Sequence, residues 1–567
     1  MTGQHATTCD ALVIGSGAGG LGAAIAAKKH GLDVLVIEKE PWLGGTTALS
    51  GGWLWIPCNP LAQRAGVADS PDKARLYLRH ELGDRYDETR ISAFLEAGPG
   101  MVDFFERETA LKFFLGRDYP DYHPDAPGAL PGGRAVCAEP FDGRQLGEML
   151  AHIKPPPREL TLFGIKVGSG PDFRHFANAQ RSLDSFLYVA RRVLVHFMQL
   201  AAYGRDAQLM SGGALIGRLV KTALDLGIPI WRSTRATELI VRDGRVAGAI
   251  AMRSNTPVTI SAGRGVVCAA GGFPHDIARR KKLFHQSLAG GEHYSLASQG
   301  NSGDGLRMAE KIGASIDESY ANAAAWMPVS RVPHPDGRCG IYPHTFDRGK
   351  PGIIAVTAGG KRFVNEGNSY HDVGEAMLRA RPAEADRSAF LVCDHAAIRR
   401  YGLGVAKPFP VPLTPYLRSG YLSRGQTIEE VAAQAGIDPR GLSDTILRFN
   451  AAAREGTDPE FGRGANVYNV YQGDPANKPS PCLAPLATPP YYAVKIYPGD
   501  IGTFAGLRTD ENARVLAVDG APLPGLYAAG TDMASIFGGC YPGPGINLGP
   551  AMTFGYIAAR HMARQTR

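Results

Sequence analysis

Close to the C-terminus, Gly538 to Gly555 read GGCYPGPGINLGPAMTFG. Glycines and prolines forbid regular structure in the first half, so a ligand can approach the backbone closely there. Tyr541 is the sole aromatic residue in that half. A phenol so placed either donates a hydrogen bond to an oxygen of a bound molecule or plugs a turn beside the core, and the loop alone allows both. A helix-like run begins after Asn547, with Pro550 in its first turn. The N–H groups at such a helix start favour an anionic ligand.

The elements that would position this loop start at the other end of the chain. In DALVIGSGAGGLGAAIAAKKHGLDVLVIEKE a short apolar strand, Ala11 to Ile14, runs into Gly15, Gly17, Ala18, Gly19 and Gly20. An Ala-rich helix and a second strand ending at Glu38 follow. This is the dinucleotide-binding arrangement: one glycine makes the turn, another admits a pyrophosphate, and a third lets helix and strand pack closely. Glu38, 18 residues after Gly20, is placed to accept hydrogen bonds from an adenosine ribose, with Lys39 beside it. A second glycine and hydroxyl loop, Gly45, Thr46, Thr47, Ser50, Gly51 and Gly52, suits the far half of an extended FAD and has no use in an NAD-only enzyme. Later pieces complete the expected cofactor contacts: Ala236, Ala270, Gly271, Asp304, Gly530, Asp532, and Asn547 with Leu548.

Composition excludes several function classes. A net charge of +7 from 61 basic and 54 acidic residues, without a Lys/Arg block, is no nucleic-acid signature. The eight cysteines form no C-x-x-C pair, so neither a metal site nor a disulfide framework is expected, and a reducing cytoplasm is the expected location. No signal peptide fits the N-terminus, and no apolar run is long enough to span a bilayer. The expected fold is α/β: a Rossmann-like FAD-binding domain in two segments, 1–324 and 498–567, with an inserted α+β catalytic cap at 325–497. A helical excursion occupies about 155–205. Within Phe173 to Asp206, apolar residues recur at helical spacing among Arg181, Arg191, Arg192 and Arg205. The expectation is a core or dimer-packing helix. The alternative is a basic amphipathic helix on a membrane, suited to a water-insoluble substrate.

With these pieces assembled, the chain resembles flavoproteins of the fumarate reductase/succinate dehydrogenase superfamily, and most of all the 3-ketosteroid Δ1-dehydrogenases. The resemblance rests on GSGAGG, IEKEPWLGGTTALSGG, DYHPDAPG, GDG, RFVNEGNSY, YPGDIGT, GLYAAG and YPGPGINLGPAMTFGYIAA, spread over nearly the whole chain except the excursion. It implies FAD and the introduction of a carbon–carbon double bond next to a ring ketone, most of all 1,2-desaturation of a 3-ketosteroid. The family's base then falls on Tyr370 and its partner on Tyr122, with Tyr119 close enough to compete. The donors to the ketone oxygen fall on Tyr541 and the Gly545 amide. Such a reaction needs a base for the proton alpha to the carbonyl, donors for the developing enolate, and a hydride acceptor, which is flavin N5.

Alternatives stay open at this point. They are a smaller cyclic ketone such as a 4-oxocyclohexanecarboxylate, Δ4 steroid regiochemistry, a fumarate-reductase-like enzyme, and a non-catalytic flavin redox sensor. The fumarate-reductase branch requires an arginine where this loop carries Asn547. The loop GGTTALSGG has no histidine for covalent attachment, so non-covalent FAD is expected. The electron acceptor and the oligomeric state leave no mark in the sequence.

Overall fold

The structure is a computed structural model that describes residues 6–179, 182–284, 293–380 and 387–565. The strand Ala6–Ile14 lies between Val34–Ile37 and Thr256–Cys268, parallel to both, inside an eight-stranded sheet. Its apolar end, Ala11 to Ile14, does not alternate with polar residues, as befits a parallel strand covered on both faces. The strand Pro522–Ala528 joins in parallel beside the end of Thr256–Cys268, so the C-terminal segment returns to the N-terminal sheet. The helices Ala18–Lys29 and Leu548–Arg564 pack together closely: a Cβ at Gly555 would stand 2.5 Å from the Gly19 carbonyl oxygen. A hairpin turns at Asp243 and Gly244, with φ of +50° and +72°. Positive φ at both central residues matches the twist of the flanking strands.

A second, seven-stranded sheet is centred on Tyr491–Thr503, which pairs antiparallel with Ala324–Pro333 and Ala389–Cys393. Its strand Ile353–Thr357 sends Ile353 and Ala355 into one apolar cluster and Ile354 and Val356 into another, so the sheet is covered on both faces. Tyr491–Thr503 runs through position 497 without a break, and its Gly499 and Asp500 pair with Tyr294 and Ser295. The segment before residue 325 thus contributes a strand of its own to this second sheet.

The excursion forms a helix, Leu183–Tyr203, capped by Ser182 and ended at Gly204 with φ +68°. Its amphipathicity is inverted. Ser185, Arg192 and His196 face the protein, whereas Leu183 is 72%, Leu194 62% and Phe197 54% exposed. Polar groups on its inner side find partners: Tyr188 Oη donates to Asp172 at 2.7 Å, and Gln199 Oε1 accepts from the Ala207 and Gln208 amides. The expectation of a core helix is therefore corrected, because helical spacing reveals an apolar stripe but not which way it points. The basic alternative changes too, since Arg192 and Arg205 turn inward and Arg205 donates to the Leu150 and Ile153 carbonyls at 2.8 Å. Arg181 lies outside the described residues. No helix among the described residues is long and apolar enough to cross a membrane.

Candidate active site

One cavity of about 1600 Å³ joins the glycine loops to the tyrosines. Of the residues expected from sequence, all but two line it. Gly20 stands behind the wall, where a Cβ would meet the Gly15 oxygen at 2.1 Å, so its smallness serves the packing of turn and helix. Asp532 also lies behind the wall, its carboxylate accepting from the Ala270 and Gly272 amides at 2.6 and 2.8 Å. It shapes the turn that brings Ala270 and Gly271 to the cavity, and burial pushes its carboxyl up to about 6.

The shape fits an extended dinucleotide. Gly15 has φ +110°, and a Cβ there would stand 2.2 Å from the Ala269 oxygen. The helix starting at Ala18 has no side-chain cap, which leaves its N-terminal amides facing the cavity, apart from Ala18 N, which donates to Thr47 Oγ1 at 3.1 Å. Glu38 lies on the cavity wall while its carboxylate accepts from Ser16 Oγ at 2.7 Å and from the Glu40 amide at 2.9 Å. Burial raises its pKa, which these donors oppose. Asp304 pairs with Lys39 at 2.6 Å and with Arg235 at 3.1 Å. Burial works against its charge, yet these cations hold it below the usual carboxylate range. In the second loop, Thr46 Oγ1 accepts from the Ser298 amide and Asn301 Nδ2, both at 2.9 Å. Gly52, with φ +76°, admits Ser211 so closely that a Cβ would meet its carbonyl carbon at 2.5 Å. Ser298 and Asn301 escape a motif reading because nothing local couples them to Thr46, more than 250 positions away.

Three tyrosines distant in sequence meet at the far end. Tyr541 stacks on Tyr122 with ring centroids 5.5 Å apart and planes 13° from parallel. Tyr370 stands edge-on to both, at 5.1 Å from Tyr541 and 5.7 Å from Tyr122. Tyr122 Oη donates to Tyr370 Oη at 3.4 Å, and the Tyr119 hydroxyl lies 3.4 Å from that of Tyr122. Tyr122 is thus the phenol that reaches Tyr370, and Tyr119 extends the row.

Each of these phenols is held by backbone and charge. Tyr370 opens the helix Tyr370–Arg379, whose cap Ser369 accepts from the Asp372 amide. The Tyr122 amide donates to the Pro542 carbonyl at 2.9 Å, and Tyr77 Oη donates to the same oxygen at 2.6 Å, which locks the Tyr122 loop to the Tyr541 turn. Asp121 accepts from Trp55 Nε1 and from the buried Arg134, both at 2.8 Å. His123 bridges Glu81 and Asp372, the latter at 3.1 Å. Burial opposes the imidazolium, but these two carboxylates prevail and push its pKa up to about 11. The clamp ties the Tyr122 loop to the Tyr370 helix.

Burial raises both phenols that face the cavity. Burial pushes Tyr541 up to about 12, so it stays a donor. Burial and then the neighbouring phenols hold Tyr370 well above the usual 10, although the bond from Tyr122 pulls the other way. The Gly545 amide, on the cavity wall with φ +97°, has no acceptor among the described residues. An N–H without a protein acceptor on a cavity wall is free to donate to a bound atom.

Residues 10–548 match the family described as FAD binding domain. Over 557 residues the chain is 42% identical to 4-oxocyclohex-2-ene-1-carboxylate 5-dehydrogenase of Sinomonas cyclohexanicum, covering 98% of this chain and 94% of that one. It is 39% identical over 568 residues to 3-oxosteroid 1-dehydrogenase of Mycobacterium tuberculosis, covering 98% of each. The crystal structure of 3-ketosteroid Δ1-dehydrogenase from Sterolibacterium denitrificans in complex with 1,4-androstadiene-3,17-dione matches with a TM-score of 0.89 at 35% identity, covering 98% of this chain and 99% of that one. The chain is an FAD-binding oxidoreductase and belongs to the 3-ketosteroid Δ1-dehydrogenase family.

Proposed function

We propose that this enzyme introduces a double bond beside the ring ketone of a multi-ring substrate, with 1,2-desaturation of a 3-ketosteroid as the reaction. The observation that carries the reading is the pair of donors, Tyr541 Oη and the unpartnered Gly545 amide, on the wall of one long cavity. They would grip the ketone oxygen and stabilise the enolate that develops as the alpha proton leaves. Tyr370 would take that proton, and the bond from Tyr122 would stabilise the phenolate form that does so. Bound FAD, held non-covalently along the glycine loops, supplies the hydride acceptor. We also propose the division into a cofactor domain, 1–324 with 498–567, and a catalytic cap at 325–497. The cavity exceeds the roughly 300–1,000 Å³ of a drug-sized site, which leaves room for several fused rings beside the cofactor.

A second substrate class has its own support. Lys407 lies half-buried on the same cavity wall, 5.7 Å from the Tyr342 ring centroid; Asp347 acts on it from a distance, and no carboxylate among the described residues forms a direct ion pair with it. Such an ammonium would suit a carboxylate on a single-ring ketone. Anaerobic mixing of the yellow protein with 3-ketosteroids and with 4-oxocyclohexanecarboxylates tests both. Rapid bleaching by steroids is expected; bleaching by the monocyclic acids alone would overturn the steroid assignment.

The outward stripe of Leu183–Tyr203 is proposed to rest on a lipid surface. Phe163 and Phe173 are both exposed and part of the cavity wall, so the apolar surface continues into the substrate space. A water-insoluble ketone could pass from lipid to site without crossing bulk water. In vesicle flotation the enzyme should rise with the lipid, and Phe197→Glu with Leu194→Glu should abolish this. A protein that stays at the bottom and elutes as a dimer through this helix would refute the assignment.

A further inference from the structure

The excursion also points inward, and its inner end reaches the cofactor loop. Two short strands, Thr161–Leu162 and Ile165–Lys166, form a hairpin that delivers Lys166 to the cavity wall. Lys166 Nζ donates to the carbonyls of Ala48, Leu49 and Ser50 at 3.2, 3.3 and 3.1 Å. These three oxygens terminate the short helix Gly45–Leu49, whose loop was expected from sequence to hold the cofactor. An ammonium has three hydrogens, so the set is complete. Ser169, from the same excursion, adds a bond from its hydroxyl to the Gly51 carbonyl at 2.9 Å. From the other side, the Lys166 carbonyl accepts from Arg192 of the outer helix at 3.4 Å.

Lys166 has no acidic partner among the described residues. Buried cations are ordinarily paired, because an isolated charge loses its hydration without return. Three carbonyl dipoles offset part of that loss, and burial still pulls the amine down to about 8. A bound group that gains negative charge during turnover would offset the rest.

We propose that Lys166 is a positioning residue for FAD: it holds the 45–52 loop in its cofactor-binding shape and places an uncompensated positive charge beside the cofactor. The charge favours the more negative, reduced state and so helps the cofactor draw electrons from the substrate. The inference rests on FAD lying along this loop, as its expected contacts do. By this reading the excursion has two working faces, an apolar one turned outward and a cationic one turned to the cofactor.

The test uses the purified holoenzyme, with two readouts besides turnover: the midpoint potential by dye equilibration, and the rate of FAD release followed by its fluorescence. Lys166→Met should release FAD about tenfold faster, as expected for a lost charge-assisted bond, and its potential should move in the negative direction. Lys166→Arg should keep the wild-type potential, because it keeps the charge. Ser169→Ala should speed release with no change in potential, since it removes a neutral bond only. Unchanged potential and release in Lys166→Met would overturn the proposal. So would an equal shift of potential in Ser169→Ala, or a Lys166→Met chain that fails to fold, since either makes the lysine a general structural part. A wild-type protein without FAD would instead remove the cofactor placement on which the inference rests.

Discussion

Replacing Tyr541 by phenylalanine removes one hydroxyl and little else. The ring packs against Tyr122 and Tyr370 through its faces and edges, and phenylalanine keeps those contacts. The hydroxyl faces that of Tyr370 and no other titratable group shifts it, so no wider network collapses with it. Folding stability should therefore change by no more than about 1 kcal/mol, the net worth of one ordinary hydrogen bond. The rate should suffer far more. Loss of one of two donors at a developing oxyanion costs about 10²–10³ in kcat, or roughly 2.7–4 kcal/mol. Activity should survive at that reduced level because the Gly545 amide remains. KM should move by less than about threefold, since the donor's grip is stronger on an enolate than on a neutral ketone. Steady-state turnover of a 3-ketosteroid with an artificial electron acceptor gives kcat and KM, and anaerobic flavin bleaching isolates the reductive half-reaction. A kcat within threefold of wild type, or a loss confined to KM, would refute the role given to this phenol.

Tyr370→Phe should bind steroid and retain FAD yet lose turnover by at least about 10²; near-normal turnover would remove it as the base. The pH profile follows from the same residue: the active form is the phenolate, burial holds its pKa well above 10, and kcat/KM should climb from neutral into the alkaline range, with a plateau below pH 8 contradicting this. The buried phenols also contribute stability that is present below about pH 10, the unfolded value, and lost as pH rises through their raised folded values, so alkaline unfolding should end the climb. Arg134→Met should cost about 3–5 kcal/mol in denaturant unfolding, because it strands the buried carboxylates Asp69 and Asp121 that Arg134 pairs at 2.8 Å; a smaller loss than about 1 kcal/mol would show that the pair is compensated.

What could be read from sequence was chemistry carried within a few consecutive residues. The turn at Gly15 to Gly20 and the hydroxyl loop at 45–52 are each short enough that backbone sterics dictate local shape and thereby what can approach, whereas the donor roles of Tyr541 and Gly545 came from a resemblance. The pairing of Tyr122 with Tyr370, 248 positions apart, came only from a resemblance, since nothing local couples the two rings. The bonds that hold them, from the Tyr122 amide to Pro542 and from His123 to Glu81 and Asp372, likewise join distant segments. The tertiary structure alone decided which side of Leu183–Tyr203 faces water. Periodicity locates a stripe, but its direction depends on where Asp172, the 207–208 backbone and the Lys166 carbonyl stand to receive the polar side. It also decided that Lys166 reaches the 45–52 loop, because a lone lysine in a hairpin acquires its meaning only from the three carbonyls that happen to converge on it.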